Sequence, residues 1–587
     1  MSSKVFVYNQ YDPIDKEEKG ILELTHGLFF DGTLNKLGNT EIRKKVKGLD
    51  GYGNPTQEDI DIYNREAKKF SLWSWSREEK EDDSFANDFT NVARMKMSCD
   101  EKYAIYVEGP GTSSKKGGSD DTYGYAFGTY ETGIRYKVRG GCEKLGDKIL
   151  DKKRELEEKG IEIKTITLNI DVFGFSRGAA TARNFLYEIR KKAYAPILIK
   201  RAINYKEDDE WKTKWVTDKC DNDGNIIDQN WLHENKLPKM GYLGIALFDL
   251  GFSHEELATL KIKIETRFLG LYDTVSSYSK DIALFPNFKN DVQELNLNSL
   301  GRIKKAVHFT AQDEHRENFS LTRMNIGIEK NLPGVHSDIG GSYSNGTETV
   351  KEIENDLYAL NVFFLTKLRL KLIKQYWFKP SQIKVKKTVF NKRSWVLRGE
   401  RALKKEYSYI PLHFMKDHAL EYIKDYLLSE TEVETKYSIE DDPVLRQTKT
   451  HLKDYAMDKG GEEWKFISDE ALAHQKKLKK LQEETEEQKK ERVFNELMKK
   501  RLVEKDNLRV DTQTTDKYGL IESKALEEEL EELTENEKKG ILLDEVMVTA
   551  YSSQGLLRKL RNEYLHWSAK REGIGYDPTS SRKREEY

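Results

Sequence analysis

The sequence predicts an α/β fold, a mostly parallel sheet flanked by helices, with insertions and a helical, charged C-terminal region. Three observations predict it. Apolar, strand-like runs cluster in the first three fifths of the chain. Helical patterns separate several of them, and strands alternating with helices favour parallel pairing. Beyond about Lys436 the composition turns to Lys, Glu and Gln, which suits long solvated helices rather than strands.

The expected strands, in order, are Ile21 to Phe30, Tyr103 to Val107, and the alternating Ile166, Leu168, Ile170 and Val172. Phe268 to Tyr272 and Ala306 to Phe309 follow, with a weaker run at Asn325 to Ile328. Ala179 to Lys192 has helical spacing. Two polar stretches interrupt the pattern. Lys44 to Asp83 has the composition of a surface insertion. Lys200 to Leu250, with Trp211, Trp215 and Trp231, is either a surface insertion or a lid over a site. The break near Lys436 divides the chain into an expected catalytic domain, 1–436, with its lid insertion around 200–250, and a C-terminal region, 437–587. Within the latter, Ala471 to Asp506 is expected to be one long charged helix, and Leu526 to Lys539 is acidic. That helix and Leu542 to Ala550 either dock on a partner or pack back on the catalytic domain.

The 587 residues are 37% hydrophobic and 34% charged, polar but sufficient for a sizeable core. A net charge of −2 gives no field that would gather nucleic acid, and no nucleic-acid partner is expected. The three cysteines, Cys99, Cys142 and Cys220, are far apart and odd in number, so neither a disulfide framework nor a zinc spacing is expected. No metal site and no cofactor are expected. The start, Met1-Ser2-Ser3-Lys4, lacks a basic-then-apolar signal pattern, and no apolar run is long enough to span a bilayer.

The chemistry is concentrated in Gly174-Phe175-Ser176-Arg177-Gly178, between the third strand and a helix. G-x-S-x-G in this strand–turn–helix setting is a nucleophile elbow, the hallmark of an α/β-hydrolase-like sheet. The sharp turn exposes the serine hydroxyl and demands small neighbours, and the helix N-terminus turns its free N–H groups toward a developing oxyanion. A serine needs a base and an acid to orient it, and in this fold they follow in the order Ser, acid, His at later strand ends. Asp273 ends the Phe268 to Tyr272 strand, and His336 lies on the glycine-rich loop after the last one. Asp338 is either a partner of that histidine or a loop-shaping residue. Among the 11 histidines, His308 sits within a strand, His413 and His418 in a later helix or turn, and His566 is the alternative base. The backbone N–H groups of Thr33 (or Gly32) and Arg177 are assigned to the oxyanion. Asp31 either orients that loop, binds a metal or does neither.

Six blocks together resemble a known family. They are Phe29-Phe30-Asp31-Gly32-Thr33-Leu34-Asn35, Thr90-Asn91-Val92-Ala93-Arg94, Val107-Glu108-Gly109-Pro110-Gly111-Thr112, the Ser176 elbow, Tyr272-Asp273-Thr274-Val275, and Gly334-Val335-His336-Ser337-Asp338-Ile339-Gly340-Gly341. From about Leu22 to Tyr343 they resemble the α/β-hydrolase domain of type VI secretion lipase effectors of the first class, and His413 extends the likeness. Pro110 departs from the pattern, and the chain after Lys436 does not map onto it. The resemblance implies an antibacterial phospholipase A with a triad on Ser176, Asp273 and His336. It implies synthesis in a bacterial cytoplasm, export without a signal peptide on a secretion spike or tube protein, and a cognate immunity protein. Action would be at the target-cell membrane from the periplasm. Two other functions fit the residues, an esterase acting on soluble esters or a peptide, and a non-enzymatic delivery or binding module. The stretch Asn355 to Phe378, apolar with interleaved lysines, is either a helix lying on anionic headgroups or a core helix with snorkelling lysines.

Overall fold

The computed structural model describes residues 20–71, 84–116, 118, 120, 132–207, 210–277, 291–356, 362–387, 394–483, 492, 528, 530–535, 553–571 and 576–586. Eleven strands are described: β1 (Ile21–Phe30), β2 (Ala104–Val107), β3 (Thr165–Phe175), β4 (Ile197–Glu207), β5 (Glu210–Cys220), β6 (Lys261–Tyr272), β7 (Ile303–Ala311), β8 (Ile328–Leu332), β9 (Gly346–Asp356), β10 (Ile383–Lys387) and β11 (Trp395–Leu403). Six of them form one sheet in the order β2-β1-β3-β6-β7-β8, and every neighbouring pair in it is parallel. This is the α/β-hydrolase-like architecture that the alternation of strands and helices predicts. The weak run at Asn325 to Ile328 enters the sheet later than expected, as β8, because Gly327 takes a left-handed turn just before it.

The alternation along the strands divides the interior into two layers. Ile166, Leu168, Ile170 and Val172 face one side, where they pack with the helices Ile134–Glu158 and Arg177–Glu188 through Val138, Cys142, Ala179 and Phe185. Phe173 and Phe175 face the other side, together with Phe29, Phe268 and Phe309. That second layer is built largely from the chain's later half. Leu365 and Leu372 of the helix Val362–Lys374 enter it, while Lys367 and Lys371 stay exposed, so this helix belongs to the core. Ile410 and Phe414, Leu445 and Leu452, and Leu557 and Leu560 follow from three further helices, Tyr409–Ile423, Pro443–Ala456 and Ser553–Glu563. The composition changes near Lys436, but this apolar layer continues through it.

Within the expected long helix, Asp469–Glu483 is helical; from 484 onward, Arg492 apart, that stretch lies outside the described residues. Residues 542–550 lie outside them too. The stretch from Lys200 to Leu250 forms the antiparallel ribbon β4–β5, which starts at Ile197, and then the helix Gly241–Asp249, whose Leu243 and Leu247 are buried beside Val138 and Leu145. One face of the ribbon is open, with Leu198, Trp211 and Trp215 69%, 74% and 69% exposed, and on the other Ile203 and Tyr205 are 38% and 40% exposed. Cys99, Cys142 and Cys220 are free and buried. Among the described residues no helix is long and apolar enough to cross a membrane.

Arg401, with no solvent contact, ties the late segments together. It donates to the carbonyls of Trp377, Arg561 and Leu565 at 2.7, 2.6 and 2.8 Å. The helix Ser553–Glu563 is therefore part of the same core as the sheet. Leu560→Ala is expected to cost about 2–5 kcal/mol, as other buried leucine truncations do. Calorimetry should show the main unfolding transition moving down. A main transition left in place, with only a separate minor one shifted, would contradict this packing.

Candidate active site

In the sheet order, the chain leaves β1 for β2 on one side and returns to β3 on the other. The carboxyl ends of β1 and β3 thus flank the point where the connections diverge, the place where open parallel sheets form their crevice. Phe30 leads there into Asp31-Gly32-Thr33, and Phe175 leads into Ser176.

Ser176 sits between β3 and the helix Arg177–Glu188 with φ 57° and ψ −130°, a conformation that non-glycine residues rarely adopt. Its N–H donates to the Tyr272 carbonyl at 3.0 Å, which fixes the turn on β6. The turn also brings the helix against the end of β1. A Cβ on Gly178 would lie 2.1 Å from the Asp31 carbonyl oxygen, so only glycine permits this approach. Arg177 Nε donates to Thr33 Oγ1 at 2.8 Å, which places the two candidate oxyanion residues side by side. Gly109 packs as closely: a Cβ there would meet the Gly32 carbonyl oxygen at 1.6 Å, and its N–H donates to Asn35 O at 3.0 Å.

Asp31 orients this loop. One of its oxygens accepts from the Gly32 N–H at 2.7 Å and the Thr90 hydroxyl at 2.6 Å, and the other accepts from the Tyr106 hydroxyl. Thr90 in turn caps the helix Asn91–Lys96. Burial raises the Asp31 carboxyl to about 6 despite these donors. Among the described residues, no cluster of three or more His, Cys, Asp or Glu could hold a metal ion.

Asp273 and His336 meet. Asp273 follows β6 with φ 41°, and its Oδ2 lies 2.6 Å from His336 Nδ1. The turn is held by its neighbours: the Thr274 N–H donates to His308 Nε2 at 3.0 Å, and the Thr322 N–H donates to the Thr274 carbonyl at 2.9 Å. His308 Nδ1 lies 3.0 Å from Glu329, so this histidine braces the strand ends. The His336 ring lies 4.6 Å from the Phe175 ring and 5.0 Å from that of Phe319, which confines it beside the elbow. Among the described residues no hydrogen bond joins Ser176 Oγ to an imidazole. Such contacts are often long without substrate and shorten when it binds. Ser176 and His336 are each 4% exposed and Asp273 is fully buried.

His566 has a different partner. Its Nδ1 lies 2.7 Å from Asp338 Oδ1, its N–H donates to Asp338 Oδ2 at 3.0 Å, and its ring stacks on Tyr343 at 3.7 Å. Asp338 also accepts from the Val335 N–H at 2.9 Å and so shapes the loop that carries His336. His413 and His418 are buried in the helix Tyr409–Ile423 and bond the Tyr437 and Ala456 carbonyls.

Three charged residues at the site escaped the sequence reading. Arg584 grips Asp273 through both terminal nitrogens, at 2.6 and 2.9 Å. Glu314 accepts from the His336 N–H at 3.2 Å and pairs with Arg316 at 2.9 Å. Arg584 lies in Ser581-Arg582-Lys583-Arg584-Glu585-Glu586, which has the composition of a solvated tail. Glu314 and Arg316 flank His315 on a connection with no periodicity, and no spacing signal marks any of the three.

The charges set the protonation states. Burial alone would raise Asp273, but Arg584 and then His336 hold it down to about 2. Burial would likewise raise Glu314, yet Arg316, Arg584 and His336 keep it far below the carboxylate range. Burial lowers His336 against the upward pull of Asp273, which favours a neutral imidazole at neutral pH. A neutral base beside an ionised acid, next to a strained serine and a helix N-terminus, can accept a proton from a hydroxyl and stabilise an anion.

Residues 74–361 match the family described as the catalytic domain of Tle1-like phospholipase effectors of the type VI secretion system. No curated protein matches the chain. Among solved structures, a Tle1 effector bound to the VgrG spike of the type 6 secretion system is 18% identical, with a TM-score of 0.42 over 80% of this chain and 86% of that one. An uncharacterized protein from Pseudomonas aeruginosa is 15% identical, with a TM-score of 0.31 over 77% of this chain and 53% of the other.

The Asp273 carboxyl falls from its ordinary 3.8 to about 2 in the folded chain. Its ionised form therefore stabilises the fold above the ordinary value, and that contribution is lost as pH falls toward 2. Asp273→Asn should lower the melting temperature most at neutral pH, and the gap to the wild type should narrow below about pH 4. Thermal denaturation across pH checks this. A gap independent of pH would show that Asp273 is not held ionised.

Proposed function

We propose that the chain is an antibacterial phospholipase of the A type, which cleaves an acyl ester of membrane phospholipid by a Ser–His–Asp mechanism. The observation that carries this reading is the 2.6 Å Asp273–His336 pair beside the strained Ser176 elbow, within the span that matches the phospholipase effector family. Ser176 Oγ attacks the ester carbonyl while His336 Nε2 takes its proton. The tetrahedral oxyanion is held by the N–H groups of Thr33 and Arg177 and by the positive end of the helix Arg177–Glu188. His336 then returns the proton to the departing lysophospholipid alkoxide, leaving an acyl-serine. A water molecule, deprotonated by the same imidazole, releases the fatty acid. Asp273 keeps Nδ1 protonated and stabilises the imidazolium that forms in each half-reaction.

The secretion system named in the family's description supports a spike or tube protein as carrier, a cognate immunity protein, and action at the target-cell membrane from the periplasm.

The test is fatty-acid release from phosphatidylethanolamine–phosphatidylglycerol vesicles. Ser176→Ala and His336→Ala should each lose about 10⁴-fold or more in kcat, as removal of a triad member does elsewhere. His566→Ala should stay within about tenfold, because a group that only braces Asp338 is not part of the proton relay. Equal release by the wild type and Ser176→Ala would sink the assignment. Activity on short-chain soluble esters with none on vesicles would keep the mechanism and change the substrate.

A further inference from the structure

Asp273 has more partners than a histidine alone. Its Oδ1 accepts from the Ala311 N–H at 2.8 Å and from Arg584 Nη1 at 2.6 Å. Its Oδ2 is shared between His336 Nδ1 at 2.6 Å and Arg584 Nη2 at 2.9 Å. The planar guanidinium thus takes both oxygens in the fork geometry that lysine cannot reproduce. The Arg584 side chain is 7% exposed.

The segment carrying Arg584 is threaded onto the connection after β7. The Glu317 N–H donates to the Asp577 carbonyl at 2.9 Å, Thr579 N–H to His315 at 2.9 Å, and Leu321 N–H to Glu585 at 2.8 Å. Arg584 Nε donates to the Phe319 carbonyl at 2.7 Å, and the Phe319 ring closes on His336. One strap, 576–586, therefore reaches the acid and the residue that confines the base. Other charges around His336 are Glu314 and Arg316 on that connection, the Asp338–His566 pair at its own turn, and the His308–Glu329 pair behind Thr274.

We infer that Arg584 is a positioning residue, which locks the Asp273 carboxylate and, by sharing its Oδ2, limits how strongly that carboxylate holds a proton on His336. This rests on the proposed triad. Shared in this way, the carboxylate orients the imidazole without making it too strong a base. At neutral pH the imidazole is then free to accept the Ser176 proton. Without Arg584 the carboxylate would turn its full charge on the imidazolium, the imidazole would protonate at higher pH, and its orientation would loosen.

The experiment compares Arg584→Gln and Arg584→Lys with the wild type on a soluble p-nitrophenyl ester across pH, with the His336 imidazole titrated by NMR in each. Arg584→Gln should lose about tenfold or more in kcat, leave KM within about twofold, and move the acid limb of kcat/KM and the His336 titration up by about one pH unit. Arg584→Lys retains the charge without the fork. Its kcat should stay low while the acid limb returns toward the wild-type position. Should the Gln variant fail to fold, the Lys variant decides: a wild-type kcat there overturns the proposal. A folded Arg584→Gln with unchanged kcat and an unmoved His336 titration overturns it as well. Ser176→Ala is assayed in parallel. If it is as active as the wild type, the proposed reaction fails, and the His336 titration alone then supports or overturns the role of Arg584.

Discussion

A carboxylate with no solvent contact is costly unless every lone pair is answered, and Asp273 is such a group. Its compensation organises the site. Ala311 at the end of β7, His336 from the loop after β8, and Arg584 from the strap all converge on two oxygen atoms. Losing one partner would leave a buried charge incompletely paired, a more serious loss than that of an ordinary surface ion pair. This demand explains why residues more than three hundred positions apart in sequence meet at one strand end.

The second constraint is steric. The serine, its helix and the loop after β1 occupy a space in which a single methyl group at Gly178 would strike the backbone. Ser176 and Asp273 both hold positive φ values, so strain is present on both sides of the site. Such conformations persist only when their surroundings over-determine them. Here the Tyr272 carbonyl, the His308 imidazole and the packed Phe175–His336–Phe319 rings do so.

Much of this could be read from the residues alone. The run of Ile166, Leu168, Ile170 and Val172 forms one face of β3, and the elbow, Asp273 and His336 follow the ends of β3, β6 and β8, in the order that the motifs suggest. These features are local: alternation and glycine spacing are written within a dozen residues. Arg584, Glu314 and Arg316 were invisible because their partners are distant and their neighbours give no pattern. The same holds for the ribbon β4–β5, where a tryptophan-rich, charged segment could as well have been helix, loop or strand. The compositional change near Lys436 was visible, but composition records surface charge. The few leucines that carry the core onward, Leu445, Leu452, Leu557 and Leu560, are diluted among lysines and glutamates.

The three cysteines have a consequence for how the chain tolerates its surroundings. Cys99 lies in one apolar layer and Cys142 in the other, with the sheet between them, while Cys220 closes the base of the ribbon. Burial pushes the Cys99 thiol up to about 12 and raises the other two. Thiols that stay protonated and shielded exchange slowly with disulfides and resist oxidation. Cys99 and Cys142 cannot bridge one another without unfolding the sheet. The two core thiols are therefore silent toward redox potential: the fold can pass from a reducing to an oxidising medium without joining Cys99 to Cys142.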